Sequence, residues 1–107
     1  LVDINKFKQL PFSENQSFYE KNFSKNEIEY CMKFNEPYKH FAGKFALKEA
    51  LIKSINKKIH ISEIETTYLD SKPIVRILGD DESYRFLASM SHENEFAIAV
   101  VICEKIS

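Results

Sequence analysis

Helical spacing of hydrophobic residues dominates the first half of the chain, and the alternation typical of strands dominates the second. Two capping-box patterns, Ser13 with Gln16 and Ser24 with Glu27, mark helix starts, because each pair can satisfy free backbone amides. Pro37 suits the first turn of a further helix, and no other proline follows until Pro73. The pattern therefore predicts helices over about 14–21 and 25–34 and one long helix over 37–56.

After the long helix the hydrophobic period changes to that of strands. Residues 63–69 and 74–78 alternate and carry β-branched side chains, so they predict a hairpin with its turn at 70–73. Two further strands are predicted over 86–90 and 96–103, and the nearly continuous apolar run of the second predicts burial on both faces. A brief helix or turn is predicted at residues 80–84.

Helices followed by strands predict an α+β fold. We expect a single small domain over residues 1–107, in which the N-terminal helices, including the long one, pack on an antiparallel β-sheet. Residues 1–5 are interpreted as the end of a strand. Their abrupt apolar start leaves open whether other residues precede Leu1.

Composition narrows the function classes. The 15 basic and 16 acidic residues give a net charge of −1, which offers no global electrostatic attraction for nucleic acid or an anionic membrane. No apolar run reaches the roughly 18 residues that span a bilayer. Cys31 and Cys103 lie in apolar segments without metal-ligand spacing, so we interpret them as reduced core thiols of a cytoplasmic protein. Two glycines leave no room for a dinucleotide or P-loop fingerprint.

The long helix carries a charged pair within its predicted core-facing stripe. Tyr38, Phe41, Phe45, Ile52 and Ile55 share an arc of about 100°, the width of a buried helix face, and Lys48 and Glu49 project into the same arc. Two interpretations stay open. Lys48 extends to solvent while Glu49 pairs with Lys53 one turn later, or Glu49 is a functional carboxylate that binds a cation.

Two other residues have a similar ambiguity. Asp3 stands between Val2 and Ile4, where it either caps the turn at Asn5 or provides a second acid to a cation site. His92 closes the run Ser89-Met90-Ser91-His92 at a strand end, and it is either a surface residue or a phosphate contact supported by neighbouring hydroxyls. His40 and His60 have no comparable surroundings in sequence.

The chain resembles the 4′-phosphopantetheinyl transferases, most closely the small holo-acyl-carrier-protein synthase class. The resemblance rests on four segments whose order and spacing agree over essentially the whole chain. They are Val2-Asp3-Ile4, Phe41 to Lys53 in the long helix, Ser71-Lys72-Pro73 at the hairpin, and Ser89 to His92 before the last strand.

The resemblance implies a Mg²⁺-dependent transfer of 4′-phosphopantetheine from coenzyme A to a serine of apo acyl carrier protein, with release of adenosine 3′,5′-bisphosphate. It implies that Asp3 and Glu49 hold Mg²⁺, that Glu49 takes the serine proton directly or through a metal-bound water, and that Lys53 stabilises the departing phosphate. The coenzyme A contacts that it implies are Lys44, Lys48, Lys53, Lys72, Ser91 and His92. It also implies a homotrimer with sites between subunits, where His92 and Lys72 serve a neighbour's Asp3 and Glu49, in cytoplasmic fatty-acid biosynthesis.

Three departures from the family pattern keep other functions open. Residues 54–59 lack the glycines of the family's turn, and Ser71 replaces a glycine before Lys72-Pro73. Lys6, Lys8 and Gln9 stand where the family uses arginines to dock the carrier. Lysine provides charge without the bidentate geometry of arginine. The alternatives are a catalytically silent module of the same fold that binds coenzyme A or a carrier protein, and an unrelated α+β interaction domain.

Overall fold

The computed structural model describes residues 1–79 and 83–106. The elements in chain order are β1 (Val2–Asp3), α1 (Ile4–Lys8), a 3-10 turn (Phe12–Glu14), α2 (Gln16–Asn22), α3 (Lys25–Met32), α4 (Tyr38–Ser54), a second 3-10 turn (Ile61–Glu63), β2 (Ile64–Leu69), β3 (Lys72–Ile77), β4 (Tyr84–His92) and β5 (Phe96–Lys105). Helices precede strands, so the predicted α+β class is confirmed. No helix in the described part combines the length and the apolar character that crossing a membrane requires.

The strands form two antiparallel sheets. β5 lies between β1 and β4 in a three-stranded sheet, and β2 pairs with β3 in a separate hairpin. Asp70 and Ser71 both have positive φ, at 50° and 69°, so the polar turn predicted at 70–73 reverses the chain within two residues. The hairpin is confirmed, and its second strand begins earlier than predicted, at Lys72.

Helix α4 is the centre of the fold and contacts both sheets. Its fully buried apolar residues, Phe41, Leu47 and Leu51, belong to two clusters. Phe41 packs against the rings of Phe12, Tyr19 and Phe23. Leu47 and Leu51 pack against the hairpin and β5. The predicted buried face of α4, one stripe about 100° wide, is therefore too narrow. The helix buries side chains in both clusters, on more than one of its sides.

The prediction that the last strand is buried on both faces is wrong. Ala97 and Val101 are buried against α4, but Ile98, Val100 and Ile102 alternate with them and are 50%, 55% and 60% exposed. A continuous apolar run satisfies a sheet with one covered face as well as one with two. The outer face of β5 is therefore apolar and open in the single chain.

The N-terminal interpretation needs correction as well. Only Val2 and Asp3 are extended, and the chain turns at once into α1. The capping box at Ser24 is confirmed, with Glu27 closing it, but α2 starts after Asn15 without a side-chain cap because Ser13 lies inside the 3-10 turn. The short element predicted at 80–84 falls largely on residues outside the described ranges.

Candidate functional site

Asp3 and Glu49, which are far apart in sequence, line the same pocket. The pocket has a volume of about 350 Å³, and its wall combines apolar side chains with charged ones. Asp3 enters from the junction of β1 and α1, and Glu49 enters from the middle of α4. The remaining residues around it are Leu1, Val2, Lys6, Phe7, Leu10, Phe18 and Phe45. The structure thus brings together the two acids singled out by their apolar surroundings.

Asp3 has a local role in addition to its place in the pocket. Its Oδ1 accepts a hydrogen bond of 2.9 Å from the backbone N–H of Asn5, so it is the N-cap of α1. The capping interpretation is therefore confirmed. A carboxylate has several lone pairs, and one amide donor leaves the second oxygen with acceptor capacity. The cap fixes the direction of the side chain at the pocket edge.

The carboxylates fit a hard divalent cation in part. Magnesium is commonly held by one or two carboxylates, with water and substrate phosphates completing its octahedron. Asp3 and Glu49 meet that minimum. Within residues 1–79 and 83–106 no group of three or more His, Cys, Asp or Glu side chains could enclose a metal by itself. Any cation here would therefore depend on a ligand for its other contacts.

One lysine lines this pocket, and a second follows Glu49 on the same helix. Lys6 lies on α1 and lines the pocket, and Lys53 lies one helical turn beyond Glu49. Both side chains are exposed. In the described part of the chain no ion pair joins Glu49 to Lys53, so the alternative of a simple surface pair finds no support. The two ammonium groups are open to an anionic ligand.

Lys48 does not extend to solvent. It is fully buried, and its Nζ donates to Glu27 Oε1 at 2.5 Å and to the Asn22 carbonyl at 2.8 Å. The Nζ also lies 5.1 Å from the ring centroid of Phe23. The interpretation of Lys48 as a solvent-reaching lysine is wrong, and as placed its ammonium is not open to a phosphate.

Lys44 is similarly enclosed. It is 1% exposed, and its Nζ donates to the carbonyl and hydroxyl oxygens of Thr66 at 2.9 and 3.0 Å. The rings of Tyr30 and Tyr68 flank it, with centroids at 4.8 and 4.9 Å. Burial is the main cause that lowers the pKa of Lys44, although Glu27 opposes the shift. The ammonium thus links α4 to β2, and Lys44 lines a pocket of about 330 Å³ that does not include Asp3 or Glu49.

The other sequence-predicted phosphate contacts do not line the pocket of Asp3 and Glu49. His92 ends β4 and lines a different pocket of about 700 Å³, which begins at the start of α4 and includes Lys8 and Lys39. Ser91 is exposed beside it and pairs with Ile98. Lys72 is exposed at the start of β3, opposite Leu69. A single copy of the chain therefore does not gather these residues around Asp3 and Glu49.

Sequence reasoning missed two residues that organise this region. Glu27 is 1% exposed and accepts hydrogen bonds from Ser24, Lys48 and Thr66, so it links α3, α4 and β2. The capping box drew attention to Glu27, but it accounts only for the contact of Oε1 with Ser24. It gives no indication that Oε2 accepts a hydrogen bond from Thr66. His40 packs on Phe34 and beside His92, and no local pattern marks that contact.

Comparison with known proteins gives consistent results. Residues 2–101 match the model of the 4′-phosphopantetheinyl transferase superfamily. The chain is 31% identical over 105 residues to the holo-[acyl-carrier-protein] synthase of Thermodesulfovibrio yellowstonii, covering 95% of this chain and 91% of that protein. It is 34% identical over 112 residues to the synthase of Chlamydia muridarum, covering 97% and 90%. The crystal structure of the Neisseria meningitidis synthase has a similar fold, with a TM-score of 0.82, 22% identity and coverage of 97% and 93%.

Proposed function

The chain belongs to the 4′-phosphopantetheinyl transferase superfamily, and from this premise we propose that it is a holo-[acyl-carrier-protein] synthase. It transfers 4′-phosphopantetheine from coenzyme A to a serine of apo acyl carrier protein and releases adenosine 3′,5′-bisphosphate. The observation that carries the proposal is the convergence of Asp3 and Glu49 on one pocket, with Lys6 at its edge. We place the reaction in the cytoplasm and in fatty-acid biosynthesis.

Asp3 and Glu49 would hold Mg²⁺, which supplies neutralising charge to the pyrophosphate of coenzyme A when it is bound. The serine oxygen of the carrier forms a new bond to phosphorus, and the bond from that phosphorus to the nucleotide phosphate breaks. The Glu49 carboxylate accepts the serine proton, and the exposed Lys53 ammonium contacts the phosphate that leaves. Lys72, Ser91 and His92 contribute contacts to coenzyme A.

A loading assay tests the reaction. Incubation with coenzyme A, Mg²⁺ and the apo carrier proteins of the source organism should add the mass of one phosphopantetheine group to a carrier. Glu49→Gln should abolish the mass increase and leave the far-ultraviolet circular dichroism unchanged. Glu20→Gln, an exposed substitution on α2, is the matched control and should retain full activity. Normal loading by Glu49→Gln would contradict the role of that carboxylate.

A second candidate is a catalytically silent module that binds coenzyme A or a carrier. The burial of Lys44 and Lys48 favours it, because both ammonium groups make their contacts inside the fold. Calorimetric titration with coenzyme A distinguishes the two functions. Binding without loading of any carrier would support the silent module, whereas binding with loading supports the transferase.

We also propose a homotrimer whose sites lie between subunits. Two observations support it: the outer face of the β4–β5 sheet exposes apolar residues, including Leu87, Val100 and Ile102, and His92 lines a different pocket from Glu49. Along α4, Glu49 lies nine residues beyond His40, the neighbour of His92, which is about 13 Å at 1.5 Å per residue. A second copy seated on the open face would cover it and bring its own His92 to the acid pair.

Subunit mixing tests the shared site. Glu49→Gln and His92→Ala are each expected to reduce loading when alone. If the site is shared, mixing and refolding the two variants together should recover activity, because some interfaces then contain both an intact Glu49 and an intact His92. No recovery, with mixed assemblies verified by native mass spectrometry, would assign both residues to one chain. Val100→Glu should reduce the mass measured by light scattering, and a monomeric wild-type chain would contradict the trimer.

A further inference from the structure

His40 occupies an unusual place for a histidine with no assigned role. It lies in the first turn of α4, where its ring stacks on Phe34 with centroids 3.7 Å apart and planes inclined by 22°. The ring of Tyr30 on α3 meets it nearly at right angles, at 6.2 Å and 87°. His40 is thus held between two aromatic side chains that precede α4 in the sequence.

The open side of His40 faces His92. The two imidazoles come together from α4 and from the end of β4, with ring centroids 5.8 Å apart and planes inclined by 78°. His92 is exposed and borders the 700 Å³ pocket, so solvent alone would leave its ring free to change rotamer. The contact with His40 limits that freedom. Because His40 is itself packed on Phe34, it can hold the His92 ring in one direction.

The charges around His40 favour its neutral form. Burial is the largest cause that lowers its pKa, followed by His92 on β4 and by Lys39 and Lys44 on α4. Tyr30 on α3 and Phe34 in the following turn bring no charge to the ring near neutral pH.

We propose that His40 is a positioning residue for the transfer reaction, which holds the His92 imidazole in the orientation that contacts a phosphate group of coenzyme A. This inference rests on the function proposed above. His40 itself contacts no substrate in this assignment. Its contribution is to remove rotamer freedom from His92 before the ligand arrives, and so it should affect the binding of coenzyme A more than the chemical step.

Substitution at position 40 tests the inference through the split between KM and kcat. Loss of one ordered side chain predicts that His40→Ala raises the KM for coenzyme A by about three- to tenfold and changes kcat by less than about twofold. His40→Phe keeps a neutral aromatic ring and should restore KM to within about twofold of wild type. His60→Ala is the histidine control on an exposed site and should behave as wild type.

A double variant decides whether the effect passes through His92. In the His92→Ala background, His40→Ala should cause no further rise in KM. A rise equal to that seen in the wild-type background would overturn the proposal, because His40 would then act without His92. Equal KM values for His40→Ala and wild type would overturn it as well.

A spectroscopic measurement separates this inference from the proposed reaction. The chain has three histidines, so their ring resonances are readily assigned by single substitutions. His40→Ala should move the His92 ring resonances toward random-coil positions, and His40→Phe should keep them displaced. If the His92 ring resonances are the same in His40→Ala and in the wild type, the pairing of the two histidines is refuted, whether or not the enzyme is active. If the pairing is observed but no carrier is loaded, the proposed function fails independently.

Discussion

The buried pair of Glu27 and Lys48 should be the most sensitive electrostatic contact in the described fold. Glu27 accepts from the backbone N–H of Ser24 at 2.8 Å and from Lys48 Nζ at 2.5 Å through Oε1, and from the Thr66 N–H at 2.8 Å and hydroxyl at 2.5 Å through Oε2. Both charged side chains are fully enclosed. Glu27→Gln removes the negative charge while keeping the size of the side chain.

The expected cost follows from what Lys48 retains. After the substitution its ammonium keeps the Asn22 carbonyl at 2.8 Å and the face of Phe23, but it has no carboxylate and no access to water. Breaking a buried ion pair by removing one partner typically costs 3–5 kcal/mol. Glu27→Gln should therefore reduce the free energy of unfolding by about 3 kcal/mol or more, a large part of the stability of a small domain.

Urea denaturation followed by far-ultraviolet circular dichroism measures this cost, since the chain has no tryptophan for fluorescence. All variants should be compared at one protein concentration, because association contributes to apparent stability. The matched control is the exposed pair of Arg85 and Glu104, 3.2 Å apart with side chains 65% and 64% exposed. Glu104→Gln should cost less than about 1 kcal/mol.

Lys48→Met completes a double-mutant cycle. In the double variant the buried ammonium is gone, so Glu27→Gln should cost less than in the wild-type background, by about 1–3 kcal/mol of coupling. A Glu27→Gln variant no less stable than Glu104→Gln, or two substitutions whose costs simply add, would refute the assignment of a strong buried pair.

Three further predictions concern individual residues. Asp3→Asn keeps an N-cap oxygen and should retain stability within a few tenths of a kcal/mol, whereas Asp3→Ala should cost about 1 kcal/mol by thermal denaturation; both should lose carrier loading, and full loading by either would contradict the proposed metal role. The pKa of His40 is lowered in the fold, mainly by burial, so the unfolded chain binds a proton at that imidazole more readily than the folded chain does. The contribution of His40 to the free energy of unfolding should be complete above its unfolded pKa of about 6.5 and should decline as the pH falls below it. Urea denaturation at several pH values should show this decline for the wild type and not for His40→Phe. Burial raises the pKa of Cys31 to about 12, so its thiol should resist alkylation at pH 8 until the protein is unfolded, and rapid labelling of Cys31 in the folded chain would contradict the structure.

Local patterns predicted most of the secondary structure. The capping box at Ser24 and the polar turn before Lys72 depend on neighbouring residues, and both are observed. The five-residue helix α1 was missed because its apolar residues, Ile4 and Phe7, are too few to establish a period. The outward face of β5 was missed for a different reason: a continuous apolar run such as the one around Val100 is compatible with a strand covered on one face or on both.

The candidate site was only partly accessible from sequence. Asp3 and Glu49 were detectable because an acid among apolar residues needs a compensating partner, and the structure places both at one pocket. For Lys48 the sequence favoured extension to solvent, and the pattern along α4 could not reveal Glu27, which approaches from another helix. Spacing along one helix describes its surface, whereas pairing between helices depends on how they cross. The contact of His40 with His92 was hidden for the same reason.

Burial of two lysines changes where the positive charge of the proposed site must come from. The Lys44 ammonium donates hydrogen bonds to Thr66 and the Lys48 ammonium donates to Glu27, so both side chains help to hold α4 against its neighbours. Among the other cationic side chains, Lys6 lines the pocket of the acid pair, Lys53 is exposed one helical turn beyond Glu49, and Lys8 and Lys39 line the pocket of His92. Coenzyme A carries phosphate at two separate positions, the central pyrophosphate and the ribose 3′-phosphate. Cations at two pockets suit such a ligand better than a single compact anion.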